Sequence, residues 1–123
     1  MTARGIFLIS GIWGILVVAP FYFLEGWVGR QAPPPVNHPE YYYGFVGVTL
    51  VWQILLLVIA SNPTKYRPIM LLAILEKLSY GVAAPMLFAN GRVPAMVLVA
   101  GLIDLAWAVL FAVALGKTPR AQS

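Results

Sequence analysis

The sequence predicts an all-α integral membrane protein, a four-helix bundle running up-down-up-down with both termini in the cytoplasm. Three observations predict it. Hydrophobic residues fill 61% of the 123 positions and charged residues only 10%, with a mean hydropathy of +0.85, too apolar for the surface of a soluble domain this small. The apolar residues fall into four runs of about 20, the length that crosses roughly 30 Å of hydrocarbon as a helix. Lys and Arg concentrate on alternate connections, the pattern that sets orientation in a membrane.

The first span covers about residues 5–24 and carries no charge until its end. Its start, Met1 to Arg4 followed by an apolar run, has the outline of a signal peptide. The run is long and no small-residue cleavage site follows it, so it reads as a retained span. Residues 25–40 form the one long outer connection, in which Gln31 to His38, with Pro33-Pro34-Pro35, is expected to be extended and solvated. The second span covers about 41–60, the third about 68–88 with Glu76 and Lys77 inside it, and the fourth about 94–115 with Asp104 inside it. Pro39, Pro68 and Pro94 stand at the starts of spans two to four, where a missing N–H costs nothing. Asn62-Pro63 and Asn90-Gly91 supply turns. The chain 1–123 reads as a single membrane domain.

Arg4, Lys65, Arg67, Lys117 and Arg120 fall on one side of these spans, and only Arg30 and Arg92 on the other. That asymmetry predicts cytoplasmic ends. Tyr22, Trp27 and Tyr41 to Tyr43 then form an aromatic belt at the outer interface. A net charge of +4, scattered as it is, excludes a nucleic-acid face. The absence of cysteine excludes disulfides and thiolate chemistry. No phosphate loop, nucleophile triad or cofactor fingerprint occurs, so no catalytic residue, metal ligand or cofactor is assigned.

Ionisable groups at bilayer depth are costly and mark a bundle interior or a site. At 1.5 Å per residue, Glu76 lies about 12 Å from the inner end of span three, Asp104 about 15 Å from the outer end of span four, and Gln53 about 18 Å from the outer end of span two. The three share one level near the midplane. Spans three and four are joined by a short loop and are expected to be antiparallel neighbours, so Glu76 or Lys77 meets Asp104. Tyr80 shares a helix face with Glu76. Trp13, Trp52 and Trp107 also lie at depth, and their indole N–H groups are expected to find partners inside the bundle. The candidate polar core or ligand site is therefore Glu76, Lys77, Asp104, Gln53, Tyr80, Trp52 and Trp107. As a structural network it fixes helix register. As a site it lines a cavity for a lipophilic or cationic ligand, or handles a proton, because one ammonium cannot match two carboxylates.

Other signals are quieter. His38-Pro39-Glu40 reads as a helix start, with Glu40 favoured by the positive helix end; one histidine and one carboxylate are too few for zinc. Ser10 and Gly14, Ala108 and Ala112, and Gly44 and Gly47 let helices approach closely, within the bundle or between protomers. Ala19-Pro20-Phe21-Tyr22-Phe23 parallels Ala84-Pro85-Met86-Leu87-Phe88, and each phrase is followed by Gly-Arg and then proline. Duplication and chance both account for so short a match. Each proline frees a backbone carbonyl, of Leu16 and of Gly81.

The run His38-Pro39-Glu40-Tyr41-Tyr42-Tyr43-Gly44-Phe45, with Trp52-Gln53 and later Glu76-Lys77, resembles small four-span bacterial membrane proteins of unassigned function. That likeness covers most of the chain and implies the cytoplasmic (inner) membrane, but no activity. Four spans with intramembrane acids are also similar in architecture to the EXPERA group of sterol isomerases and sigma-2-type receptors; no catalytic residue carries over. Three functions follow as expectations. The first is a non-enzymatic protein acting through assembly, as a homo-oligomer or an accessory subunit of a membrane complex. The second is a binder or carrier of a lipophilic or cationic small molecule or proton. The third is an isomerase with Glu76 as its acid–base group.

Overall fold

A computed structural model describes residues 1–120. Among them every regular element is helical. Helix α1 (Ala3–Val18) passes into a 3-10 turn at Ala19–Phe23, and a short α2 (Glu25–Gln31) follows. Three long helices complete the chain: α3 (Pro39–Ser61), α4 (Arg67–Ala89) and α5 (Ala95–Lys117). Four stretches, 3–23, 39–61, 67–89 and 95–117, are long and apolar enough to cross a membrane.

Local chemistry explains the boundaries. The Thr2 hydroxyl accepts from the Gly5 N–H at 3.0 Å and caps α1. The Pro20 ring has no N–H to continue the α-helical ladder, and α1 gives way to the 3-10 turn at Ala19. Pro39 sits in the first turn of α3 and Pro68 in that of α4, while Pro94 stands one residue before α5 as its cap. The Asn62 side chain accepts from the Lys65 N–H at 3.2 Å and shapes the α3–α4 turn. Helix α4 ends in a closed motif: Gly91 adopts φ +70°, and the Arg92 and Gly91 N–H groups reach the Leu87 and Phe88 carbonyls at 2.9 and 3.0 Å.

The connection 25–40 holds a short helix of its own, Glu25–Gln31, ahead of the proline-rich stretch. Glu25 in its first turn and Arg30 in its last both suit the helix dipole. Gly29 is buried where the returning chain passes; a Cβ there would lie 3.0 Å from the Pro35 Cα.

The helices pair as two hairpins, α1 with α3 and α4 with α5, which meet chiefly through α1 and α5. Phe7 of α1 stacks on Phe111 of α5 with ring centroids 4.5 Å apart. Around this stack pack Ile6, Leu56, Ile59, Met70 and Ala73, all buried. The core therefore sits toward the end that holds Arg4, Lys65, Arg67 and Lys117. Arg4 Nε donates to the Ala60 carbonyl at 3.1 Å, and Arg67 Nε to that of Thr118 at 2.8 Å. At the opposite end, the Tyr42 hydroxyl donates to the Phe21 carbonyl at 2.6 Å, and Tyr22 stacks on Tyr43 at 6.2 Å.

Candidate functional site

The buried residues of α4 are Met70, Ala73, Lys77, Gly81 and Ala84. Their spacing of three and four is that of one helix face, so Lys77 belongs to the packing seam against α5. Small neighbours hold that seam close. A Cβ on Gly81 would lie 2.9 Å from the Leu105 side chain, and one on Gly101 only 2.6 Å from the Ala84 Cβ. Asp104 stands one turn beyond Gly101 on α5, which brings its carboxylate to the Lys77 ammonium.

Lys77 Nζ lies 3.9 Å from Asp104 Oδ1 and 3.7 Å from Glu76 Oε2. Both separations exceed hydrogen-bond length, so these are ion pairs without a shared proton bridge. The side chains of Lys77, Glu76 and Asp104 are 7%, 16% and 23% exposed. The ammonium is enclosed, whereas each carboxylate keeps an exposed edge. Glu76 Oε2 is buried and accepts no hydrogen bond. Two carboxylates around one ammonium carry one surplus negative charge, which a proton or a cation from outside would neutralise.

Of the other predicted members, Tyr80 lies within range of the Asp104 charge, and Gln53 belongs to a different seam. Gln53 is buried in the α1/α3 seam, where a Cβ on Gly14 would overlap its carboxamide. Its Nε2 donates to the Thr49 carbonyl at 2.9 Å, while its Oε1 and the nearby helix's Ser10 hydroxyl are buried without partners. Tyr80 is half-buried and turns toward α3, its ring 5.9 Å from that of Phe45. Trp52 lines an open groove of about 490 Å³ with Tyr22, Tyr43 and Gly47. Trp107 rests on Phe111 at 6.1 Å. Neither this groove nor the one at Lys65, Arg67 and Arg120 includes a triad residue.

The expectation for the tryptophans needs correction. Trp13 is 46% exposed, and Trp52 opens onto a groove, so these indoles do not complete a buried polar network. Of the small-residue pairs, Ser10 and Gly14 are both buried, whereas Ala112 and Gly44 are exposed. His38 Nδ1 lies 3.0 Å from Glu40 Oε1 on the exposed start of α3, and its ring stacks on Tyr41.

Arg4 and Arg67 are contributors that the depth argument passes over. Each comes from the first helix of a hairpin and binds carbonyls at the end of the second. Their signal in the sequence is position: both open a span directly opposite the end of another. Comparison with protein-family models, curated proteins and solved structures gave no match.

Proposed function

We propose that this is a small integral membrane protein that acts through assembly, as a homo-oligomer or as an accessory subunit of a membrane complex. The observation that carries the reading is the partial exposure of Asp104 and Glu76, at 23% and 16%, beside the α4/α5 seam. A carboxylate left partly uncovered near the midplane is costly, and a neighbouring helix laid over it removes that cost. Ligand binding has less to rest on, since Lys77 stands between the two acids and neither groove reaches them.

The proposed topology is up-down-up-down with cytoplasmic ends, in the inner membrane of a bacterium. Contacts that support the alternation are Arg4 with Ala60, Phe21 with Tyr42, and Arg67 with Thr118. The excess of Lys and Arg at the end holding both termini supports the direction.

The test is the intact mass of the protein in lipid nanodiscs. The expected species exceeds the 13.4 kDa chain, by further copies or by a co-purified subunit, and Asp104→Asn shifts its population. A single chain with no companion, unaltered by Asp104→Asn, overturns the proposal.

A further inference from the structure

A second cluster of charge lies outside the triad, at the basic end of the α4/α5 hairpin. An open groove of about 270 Å³ is lined by Thr64, Lys65, Arg67, Pro68 and Arg120. Three of its five lining residues are cations. The chain's four acidic side chains, Glu25, Glu40, Glu76 and Asp104, are all elsewhere: two border the opposite connection and two form the triad with Lys77. Among the described residues no acidic side chain lines the groove, and the positive end of the α4 dipole there meets the negative end of α5.

Its construction favours an anion. The Arg67 guanidinium is held by two carbonyls at the end of α5, Thr118 at 2.8 Å and Leu115 at 3.4 Å. That anchoring fixes one cation in the floor of the groove. Lys65 and Arg120 are exposed and flank it, and Lys65 Nζ rests 5.3 Å from the Tyr66 ring centre. A fixed guanidinium between exposed cations matches a phosphate that must be approached from one side. The height matches too: the groove sits where the membrane-length stretch 67–89 begins and 95–117 ends, the level of lipid phosphates in a bilayer.

We infer that this groove binds the phosphodiester headgroup of an anionic phospholipid. The inference needs the helices to cross a bilayer but not a particular direction or oligomeric state, so it stands apart from the assembly proposal. The experiment uses the full chain in nanodiscs of mixed phosphatidylglycerol and phosphatidylcholine, followed by release and native mass spectrometry of retained lipid. The chain is expected to retain phosphatidylglycerol in preference, with high salt weakening the preference. Lys65→Gln with Arg120→Gln should lower the preference on the order of tenfold, from the contribution of each cation near a lipid surface. Both side chains are exposed, so the fold should persist, as far-UV circular dichroism will report. Arg30→Gln with Arg92→Gln, at the other end, should leave the preference intact. Equal retention of both lipids overturns the inference, leaving the groove to an acidic partner segment. So does a preference that survives the Lys65/Arg120 change. Displacement of the lipid by millimolar inorganic phosphate would also overturn it, in favour of a site for a free anion.

Discussion

The α1/α3 and α4/α5 hairpins are fastened in the same way at their basic ends and filled differently at their centres. Arg4 reaches the Ala60 carbonyl near the end of α3, and Arg67 reaches those of Leu115 and Thr118 near the end of α5. In each case a cation donates to carbonyls at a helix end, where the helical ladder runs out. Both centres use glycine to draw the helices together. Gly14 admits the neutral Gln53 carboxamide, whereas Gly81 and Gly101 close a seam that contains Lys77. A neutral polar group in a seam asks only for hydrogen bonds, but an ammonium in a seam also demands counterions. The second hairpin therefore depends on particular partners, Glu76 and Asp104, in a way the first does not.

The largest effect expected from that difference is Lys77→Met. Removing the ammonium leaves two carboxylates facing each other in a poorly solvated site, and breaking a buried ion pair by deleting one partner typically costs about 3–5 kcal/mol. Unfolding in detergent, followed by circular dichroism, should show a loss of that size. Adding Glu76→Gln and Asp104→Asn to Lys77→Met should restore most of it. A single variant as stable as the parent would show that the triad is not the organising feature of the α4/α5 hairpin.

Steric closeness comes next. At Gly101 an added Cβ meets the Ala84 Cβ at 2.6 Å, an atom fixed to backbone. At Gly14 it meets Gln53 from Cγ to the carboxamide, atoms of a side chain that can rotate aside. Gly101→Ala is therefore predicted to destabilise by about 1–3 kcal/mol, the range for overpacking, and Gly14→Ala by less. Gly44→Ala, with nothing within 4 Å, serves as the neutral reference. If Gly14→Ala proves the more damaging, Gln53 is as immobile as backbone, and the contrast between the seams weakens.

The sequence made the existence of four spans legible because length and apolarity alone decide it. It also brought the charged pair Glu76 and Lys77 to the level of Asp104, since depth along each helix follows from residue count. What depth cannot supply is direction around the helix. Gln53 shares the level of the triad, yet it points into Gly14 of α1. The missing cue was the stripe Ala73, Lys77, Gly81, Ala84, whose small residues mark Lys77 rather than Glu76 as the seam position. Ser10 and Gly14 mark the matching stripe on α1. Helix α2 was hidden for another reason: its seven residues span too few turns to display a period. The two Ala-Pro phrases also part company. The chain enters a 3-10 turn at Pro20, while α4 runs on through Pro85. After Pro20 the chain turns toward α2, with Tyr42 taking the Phe21 carbonyl; after Pro85 it has another turn of helix before Gly91 closes it.

The arginine fastenings test the common part of the comparison. Arg67 binds two carbonyls and Arg4 one, both at a half-exposed helix end where each charged contact contributes roughly 0.5–1 kcal/mol. Arg67→Gln should therefore cost about twice as much as Arg4→Gln. Hydrogen exchange should localise the losses to the last turns of α5 and α3 respectively. Equal losses, or losses spread over a whole hairpin, would mean that these arginines do more than cap.

Gln53→Met should have the smallest effect and is the most discriminating about what the neutral seam is for. Methionine approximates the length and volume of glutamine without its amide. The change removes one hydrogen bond, Nε2 to the Thr49 carbonyl at 2.9 Å, a carbonyl already placed in the helical ladder of α3. It also removes Oε1, a buried acceptor with no partner, whose desolvation costs about 1–3 kcal/mol while it stays unpaired. The loss and the gain nearly cancel, and relief of the orphaned oxygen tips the balance, so stability should stay level or rise by up to about 1 kcal/mol. If stability instead falls by more than about 2 kcal/mol, then Oε1 has a partner in the folded protein. The buried Ser10 hydroxyl, equally without one, is the group to examine, and Ser10→Ala in the Gln53→Met background should then add nothing further. In that event both seams would hold a specific polar contact, and the hairpins would differ in charge alone.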